Sequence, residues 1–292
     1  MGAGAIWAQV VTAAAAPGLA PLCASSTSVG VAGYTLGGGR ARSAAATASP
    51  RTTCTGCGWS PRTGDRTRST PTAPPSCSGA ARCRRGFGVV TELEFALFPI
   101  ARLYGGGLFL PGSAAAELLH LWRQWAPMLP DEAGTSVALL RPPHHPSLPP
   151  ALHGRAVVHL RYTHVGRPAE AEALLAPLRA VATPLHDDVR ERPVTDVDAV
   201  HRHSRHPTPV DEGGVVLREL PAEAVDALLA AAGPDVPSPL DLVELRAMGG
   251  ALERPAAVRN VVAGRGAAWS VWVRGPLVPG GSWRFRCPPG LR

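Results

Sequence analysis

Ser25-Ser26-Thr27-Ser28-Val29-Gly30-Val31-Ala32-Gly33-Tyr34-Thr35-Leu36-Gly37-Gly38-Gly39 is a run of hydroxyl side chains followed by closely spaced glycines. Glycine permits unusual dihedrals and close approach, so backbone N–H groups at this density can converge on a pyrophosphate, with hydroxyls completing an anion cradle. A tight turn that closes a sheet draws on the same residues, and the run alone leaves both readings open.

Upstream, Ala5 to Ala16 reads as a helix entered from a short strand and stopped by Pro17-Gly18. Downstream, Arg40 to Arg85 contains no Val, Ile, Leu, Met, Phe or Tyr in 46 residues. A stretch without branched apolar side chains cannot bury enough surface to offset the entropy of ordering, so low order is expected there. From Gly86 the apolar pattern resumes, with Phe87, Val89, Val90, Leu93, Phe95 and Leu97 suggesting a strand pair.

Together these pieces resemble the FAD-linked oxidases grouped with berberine bridge enzyme and vanillyl-alcohol oxidase, which share a p-cresol methylhydroxylase-type FAD domain. Gly2-Ala3-Gly4-Ala5-Ile6-Trp7 and the helix ending Pro17-Gly18-Leu19-Ala20 look like the family's Gly-x-Gly-x-x-Trp strand and helix. Gly86-Phe87-Gly88-Val89-Val90-Thr91 looks like its Gly-Asn-Phe-Gly-Val-Val-Thr strand, and the later region is similar to its substrate domain. The resemblance implies that Ser25, Ser26, Ser28, Val29, Gly30 and Gly33 line the pyrophosphate and ring edge of FAD, that Gly37 and Gly38 close the turn, and that Gly88, Val89 and Val90 offer backbone groups from a neighbouring strand. Ser26 stands where some members attach a cysteine to the flavin. A flavin accepts hydride itself, so the activity implied is oxidation of a small-molecule alcohol, amine or sugar, and no catalytic acid or base is named by the sequence.

Between the matching motifs the family would supply Leu-Gly-x-x-x-Arg-x-Tyr-Gly and Leu-Phe-Trp-Ala-Leu-Arg-Gly-Gly, and neither is present. GC-rich codons for Gly-Pro-Leu-Gly-Arg, read from their second base, give Ala41-Arg42-Ser43-Ala44, and codons for Pro-Glu-Leu-Phe-Trp shifted the same way give Pro75-Ser76-Cys77-Ser78-Gly79. Residues 40–85 are therefore expected to be translated out of frame. The family's Arg-x-Gly-Gly-His segment is not found before Met1, which reads as an internal start, and 279–292 departs from the family as a divergent tail. A fragment with a weakened hold on flavin is the expectation, with a non-catalytic remnant as the alternative.

The fold class expected is α+β: a partial FAD-binding domain over 1–39 with a return strand at 86–100, and a substrate domain over 101–278 whose mainly antiparallel sheet is covered by helices. Strands are expected at Leu103–Leu110, Val137–Leu140, Ala156–Tyr162, Val215–Leu217, Leu240–Arg246 and Ala268–Val273. Helices are expected from an N-cap at Ser113 to Trp125, at Pro168–Ala182 and at Pro221–Ala232.

The formal charge of +7 raises the possibility of a nucleic-acid partner, but Arg40–Arg85 alone carries nine Arg and one acid, a net +8, which leaves −1 for the rest. No nucleic-acid partner is expected. No apolar run reaches the roughly 18 residues that span a bilayer, and no charged region precedes the Ala-rich start, so neither membrane anchor nor leader is read and the cytoplasm is the expected setting.

Cys54, Cys57, Cys77 and Cys83 could form a zinc module, yet Cys77 and Cys83 lack the paired spacing of structural zinc sites, and unpaired thiols are the preferred reading. His201, His203 and His206 with Asp211 and Glu212 could converge on a metal, but Arg202, Arg205, Pro207 and Pro209 oppose it. His144-His145 in a Pro-rich loop is read the same way. Trp122 and Trp125 are assigned to core packing, and Glu92 and Glu94 to the outer face of a half-exposed strand.

Overall fold

The computed structural model describes residues 1–37, 39, 54–61, 67–69, 88–142, 149–204, 208–252 and 266–277. Helices are α1 (Trp7–Ala15), α2 (Val31–Leu36), α3 (Ala115–Trp125), α4 (Pro168–Arg179) and α5 (Ala222–Ala232). Strands β1 (Cys54–Pro61), β2 (Thr67–Ser69) and β3 (Gly88–Phe95) form one antiparallel sheet in the order β2-β1-β3. The second sheet has eight strands: β4 (Arg102–Pro111), β5 (Ala133–Leu140), β6 (Val157–His164), β7 (His186–Asp187), β8 (Arg190–Pro193), β9 (Val210–Leu217), β10 (Leu242–Ala247) and β11 (Trp269–Pro276). Its order is β7-β4-β6-β5-β10-β11-β9, with β8 also on β4 and every pairing antiparallel.

Strand alternation divides the large sheet into two faces. Leu108 and Leu110 of β4, Val137 and Leu139 of β5, Leu160 and Tyr162 of β6, Val243 and Leu245 of β10, and Val271 and Val273 of β11 join one apolar core with the inner faces of α3, α4 and α5. Trp122 is wholly buried there, its Nε1 donating to Thr135 Oγ1 at 3.0 Å and its ring 5.1 Å from that of Trp269. Both Trp122 and Trp125 are core, as alternation and helix spacing require.

The amino-terminal unit hangs on the extended residues 1–6. Met1 exchanges two bonds with Leu93, and the Ala3 N–H donates to Thr91 O at 2.9 Å. Further along, the Val31 N–H donates to Ala5 O and the Trp7 N–H to Val29 O, at 2.9 and 3.0 Å. Trp7, Val11, Cys23, Ala24, Val31 and Leu93 then close a small apolar core, with Trp7 edge-on to Tyr34 at 5.7 Å. The serine- and glycine-rich loop and the β3 strand therefore share one ladder and one core. Leu93 is buried and Glu92 and Glu94 are exposed, as a half-covered strand demands.

Three local expectations change. The glycine-rich region read as a turn contains a short helix, α2, starting after Gly30. Ser113 does not cap α3: it lies inside a 3₁₀ turn, Gly112–Ala114, because Pro111 and Gly112 tighten the chain before the helix begins at Ala115. Within the stretch expected to lack order, β1 and β2 are strands, with Cys57 opposite Leu93 and Trp59 opposite Val90. Main-chain pairing needs no apolar side chain on the added strand when β3 supplies the template. The two peptides used to infer a shifted frame, Cys77, Cys83 and the tail from 279 lie outside the described residues. Among the described residues no helix is long and apolar enough to cross a membrane.

Candidate functional site

The face of the large sheet opposite α3, α4 and α5 is polar where the other face is apolar. Register aligns two adjacent rows across it: Val216, Ser270, Arg246, Ser136 and Arg161 in one, and Gly214, Trp272, Glu244, Ala138 and His159 in the other. Glu244, fully buried, occupies the junction. Its Oε1 accepts from Arg161 Nη1 at 2.6 Å and from Ser136 Oγ at 3.1 Å, and its Oε2 accepts from Arg246 Nη2 at 2.7 Å. Arg161 Nε donates to His159 Nδ1 at 3.1 Å, which fixes the His159 proton on Nε2, and the His159 ring stacks on Phe109 at 3.9 Å. Burial, followed by the Arg161 charge, pushes the His159 pKa well below its ordinary value, so the imidazole is neutral. Burial also lowers the pKa of Arg161, against the opposing pull of Glu244, yet guanidinium stays charged at any physiological pH.

The serine loop stands over this face. A cavity of about 460 Å³ is lined by Ser25 and Tyr34 on one side and by Arg161, Arg246 and Ser270 on the other. A more open groove of about 690 Å³ adjoins it, where Ser25, Ser26, Ser28 and Val29 face Arg246, Ser270 and Trp272. Ser25, Arg246 and Ser270 border both. A volume in this range is that of an ordinary small-molecule site.

The residues read from sequence divide into two groups. Ser25, Ser26, Ser28 and Val29 reach the groove, with Ser26 Oγ and Ser28 Oγ 2.8 Å apart. Gly30 and Gly33 lie at the start of α2, and a Cβ built on either would meet nothing within 4 Å, so this face of the loop is open to a bound group. Gly37 caps α2, its N–H donating to Gly33 O at 3.0 Å, and Gly38 lies outside the described residues. Gly88, Val89 and Val90 sit in β3 opposite Pro61, Ser60 and Trp59 and line neither cavity; Val89 is exposed and Val90 packs on the Trp7 core. Hydroxyls, open glycine backbone and an adjoining cavity fit the flavin end of FAD. Thr27 offers it nothing, because its N–H and Oγ1 donate to Asp198 at 2.8 and 2.6 Å.

His201 and His203 stack at 5.3 Å, and no group of three metal-ligating side chains occurs among the described residues. His206 and the His144-His145 pair lie outside them. Arg161, Arg246, Glu244, His159, Ser270 and Trp272 were missed by motif reading. Their signal was the polar residues at alternate positions of otherwise apolar strands, His159-x-Arg161-x-Thr163 above all.

No family model and no curated protein matches the sequence. Solved structures match the fold. The 6-hydroxy-D-nicotine oxidase from Arthrobacter nicotinovorans is 22% identical with a TM-score of 0.73, over 94% of this chain and 60% of that one. A glucooligosaccharide oxidase from Acremonium strictum, whose structure is described as revealing a novel flavinylation, is 15% identical with a TM-score of 0.76, over 94% and 60%. Berberine bridge enzyme from Eschscholzia californica is 14% identical with a TM-score of 0.75, over 94% and 57%. The chain thus has the fold of the FAD-dependent oxidases of the berberine bridge enzyme and vanillyl-alcohol oxidase type, across about 60% of the length of the oxidases it matches.

Proposed function

We propose that the protein is an FAD-dependent oxidoreductase of small alcohol, amine or sugar-like molecules, with a reduced hold on its cofactor. The observation that carries this is the cavity bounded by Ser25 and Tyr34 of the loop region and by Arg161, Arg246 and Ser270 of the sheet. Ser25, Ser26, Ser28, Gly30 and Gly33 would hold FAD, which when bound supplies the two-electron acceptor for a substrate hydride. The sheet residues bind and orient the substrate. Glu244 has both oxygens committed to guanidinium groups, so this trio positions charge and does not abstract a proton.

A non-catalytic remnant is the competing reading, and it is favoured by Thr27 spending its donors on Asp198 and by Gly88–Val90 lining neither cavity. Anaerobic mixing separates the two. The full chain is incubated with FAD and then with a panel of sugars, alcohols and amines. Bleaching of the flavin colour by at least one compound, faster than in protein-free FAD, is expected of the enzyme. Bleaching no faster than free FAD for every compound contradicts it.

A further inference from the structure

We infer that the small molecule bound over the sheet carries an acid group, a carboxylate held by Arg246 and Arg161. This rests on the reading of the 460 Å³ cavity as the substrate site. Two guanidiniums share the single Glu244 carboxylate, so the trio keeps one unbalanced positive charge where the two cavities meet. Arg161 is 2% exposed, and the hydrogen bonds it makes among the described residues use Nε and Nη1. The Arg246 side chain is 29% exposed and bonds Glu244 through Nη2, with no hydrogen bond from its Nη1 among the described residues. A charged N–H that lines a cavity and has no protein acceptor is the donor such a site leaves for a ligand.

Geometry favours a planar anion over a neutral hydroxyl. Glu244 and the Trp272 ring, 5.9 Å beneath the Arg246 guanidinium, restrain the fork of Arg246, and a restrained fork matches a carboxylate edge. Ser270, opposite Arg246 in the register, adds a neutral hydroxyl on the same face. The other carboxylates near the cavities are placed differently: Asp131 lies with Pro127, Leu129 and Pro130 rather than on the sheet face, and Glu212 lines only the outer groove. Charge balance and the spare donor therefore point to the same ligand group.

Glucuronate and glucose test this, since they differ at one carbon, carboxylate against hydroxymethyl. Each is titrated calorimetrically into the full chain, with and without saturating FAD, and into Arg246→Gln and Glu244→Gln. Glucuronate is expected to bind at least tenfold more tightly than glucose. Arg246→Gln should remove most of that preference, and Glu244→Gln, which deletes the balancing charge, should enlarge it. Equal affinities, tighter binding of glucose, no binding of either, or a preference untouched by Arg246→Gln would overturn the inference. A glucuronate preference in protein that fails to take up FAD keeps this inference and sinks the cofactor reading; FAD uptake without the preference does the reverse.

Discussion

Asp198 accepts two hydrogen bonds from Thr27, one from its N–H at 2.8 Å and one from its Oγ1 at 2.6 Å, across 171 residues of sequence. One carboxylate thereby locks the serine loop to the segment Val194–Val200 that follows β8. Bonds to a charged group contribute about 1.5–3 kcal/mol each, and removal leaves Thr27 donors unmet in a buried place. Asp198→Ala is expected to cost about 2–4 kcal/mol in urea unfolding and to weaken FAD binding. Asp198→Asn, which keeps one acceptor, should cost less on both counts.

Breaking the buried trio from one side should be worse than dismantling it. Glu244→Gln leaves the buried Arg161 guanidinium without its counter-charge and, by the usual cost of an uncompensated buried charge, should destabilise by about 3 kcal/mol. Adding Arg161→Met removes that uncompensated charge and should recover part of the loss. A double-mutant cycle with a coupling near zero would mean the pair is not formed.

His159 makes stability sensitive to acid. Its folded pKa lies below its unfolded value, so its contribution is complete above about pH 6.5 and is lost as the pH falls below that value. Arg161, Arg202 and His203 oppose its charge and Glu244 favours it. Unfolding free energy measured from pH 7 to pH 5 should therefore decline. His159→Gln, which keeps an acceptor for Arg161, should flatten the decline, with His164 leaving a residue of it because burial lowers its pKa too.

Cys23 should be inert in the folded protein. Burial, followed by the Asp198 charge, raises its pKa to about 12. The raised value stabilises the fold below the unfolded thiol pKa and is lost as the pH climbs from about 9 to about 12. Peptide-resolved mass spectrometry after iodoacetamide at pH 8 should find Cys23 unmodified in native protein and modified in urea.

What the sequence made legible were features written along one strand or one helix. Alternation placed Leu93 inside and Glu92 outside, and helical spacing put Trp122 and Trp125 in the core. Glycine and serine spacing located the loop that reaches the groove. What escaped was written across strands: Arg161 meets Glu244 at a separation of 83 residues, and only the register of β6, β5 and β10 brings them together. Helix α2 escaped because Gly30, Gly33 and Gly37 look like turn residues when their hydrogen bonds are unseen. Gly88–Val90 were assigned to the flavin by resemblance; they lie in β3, paired with β1, and line neither cavity.

The central claim is that the serine loop and the polar sheet face form two walls of one site, which holds the flavin and its substrate between them. FAD titration followed by quenching of flavin fluorescence tests it, using the wild type and one bulky substitution in each wall, Ser25→Trp and Ser270→Trp. Saturable binding that is weakened at least tenfold by either substitution is the result expected. No saturable binding, or binding that neither substitution disturbs, would contradict the claim.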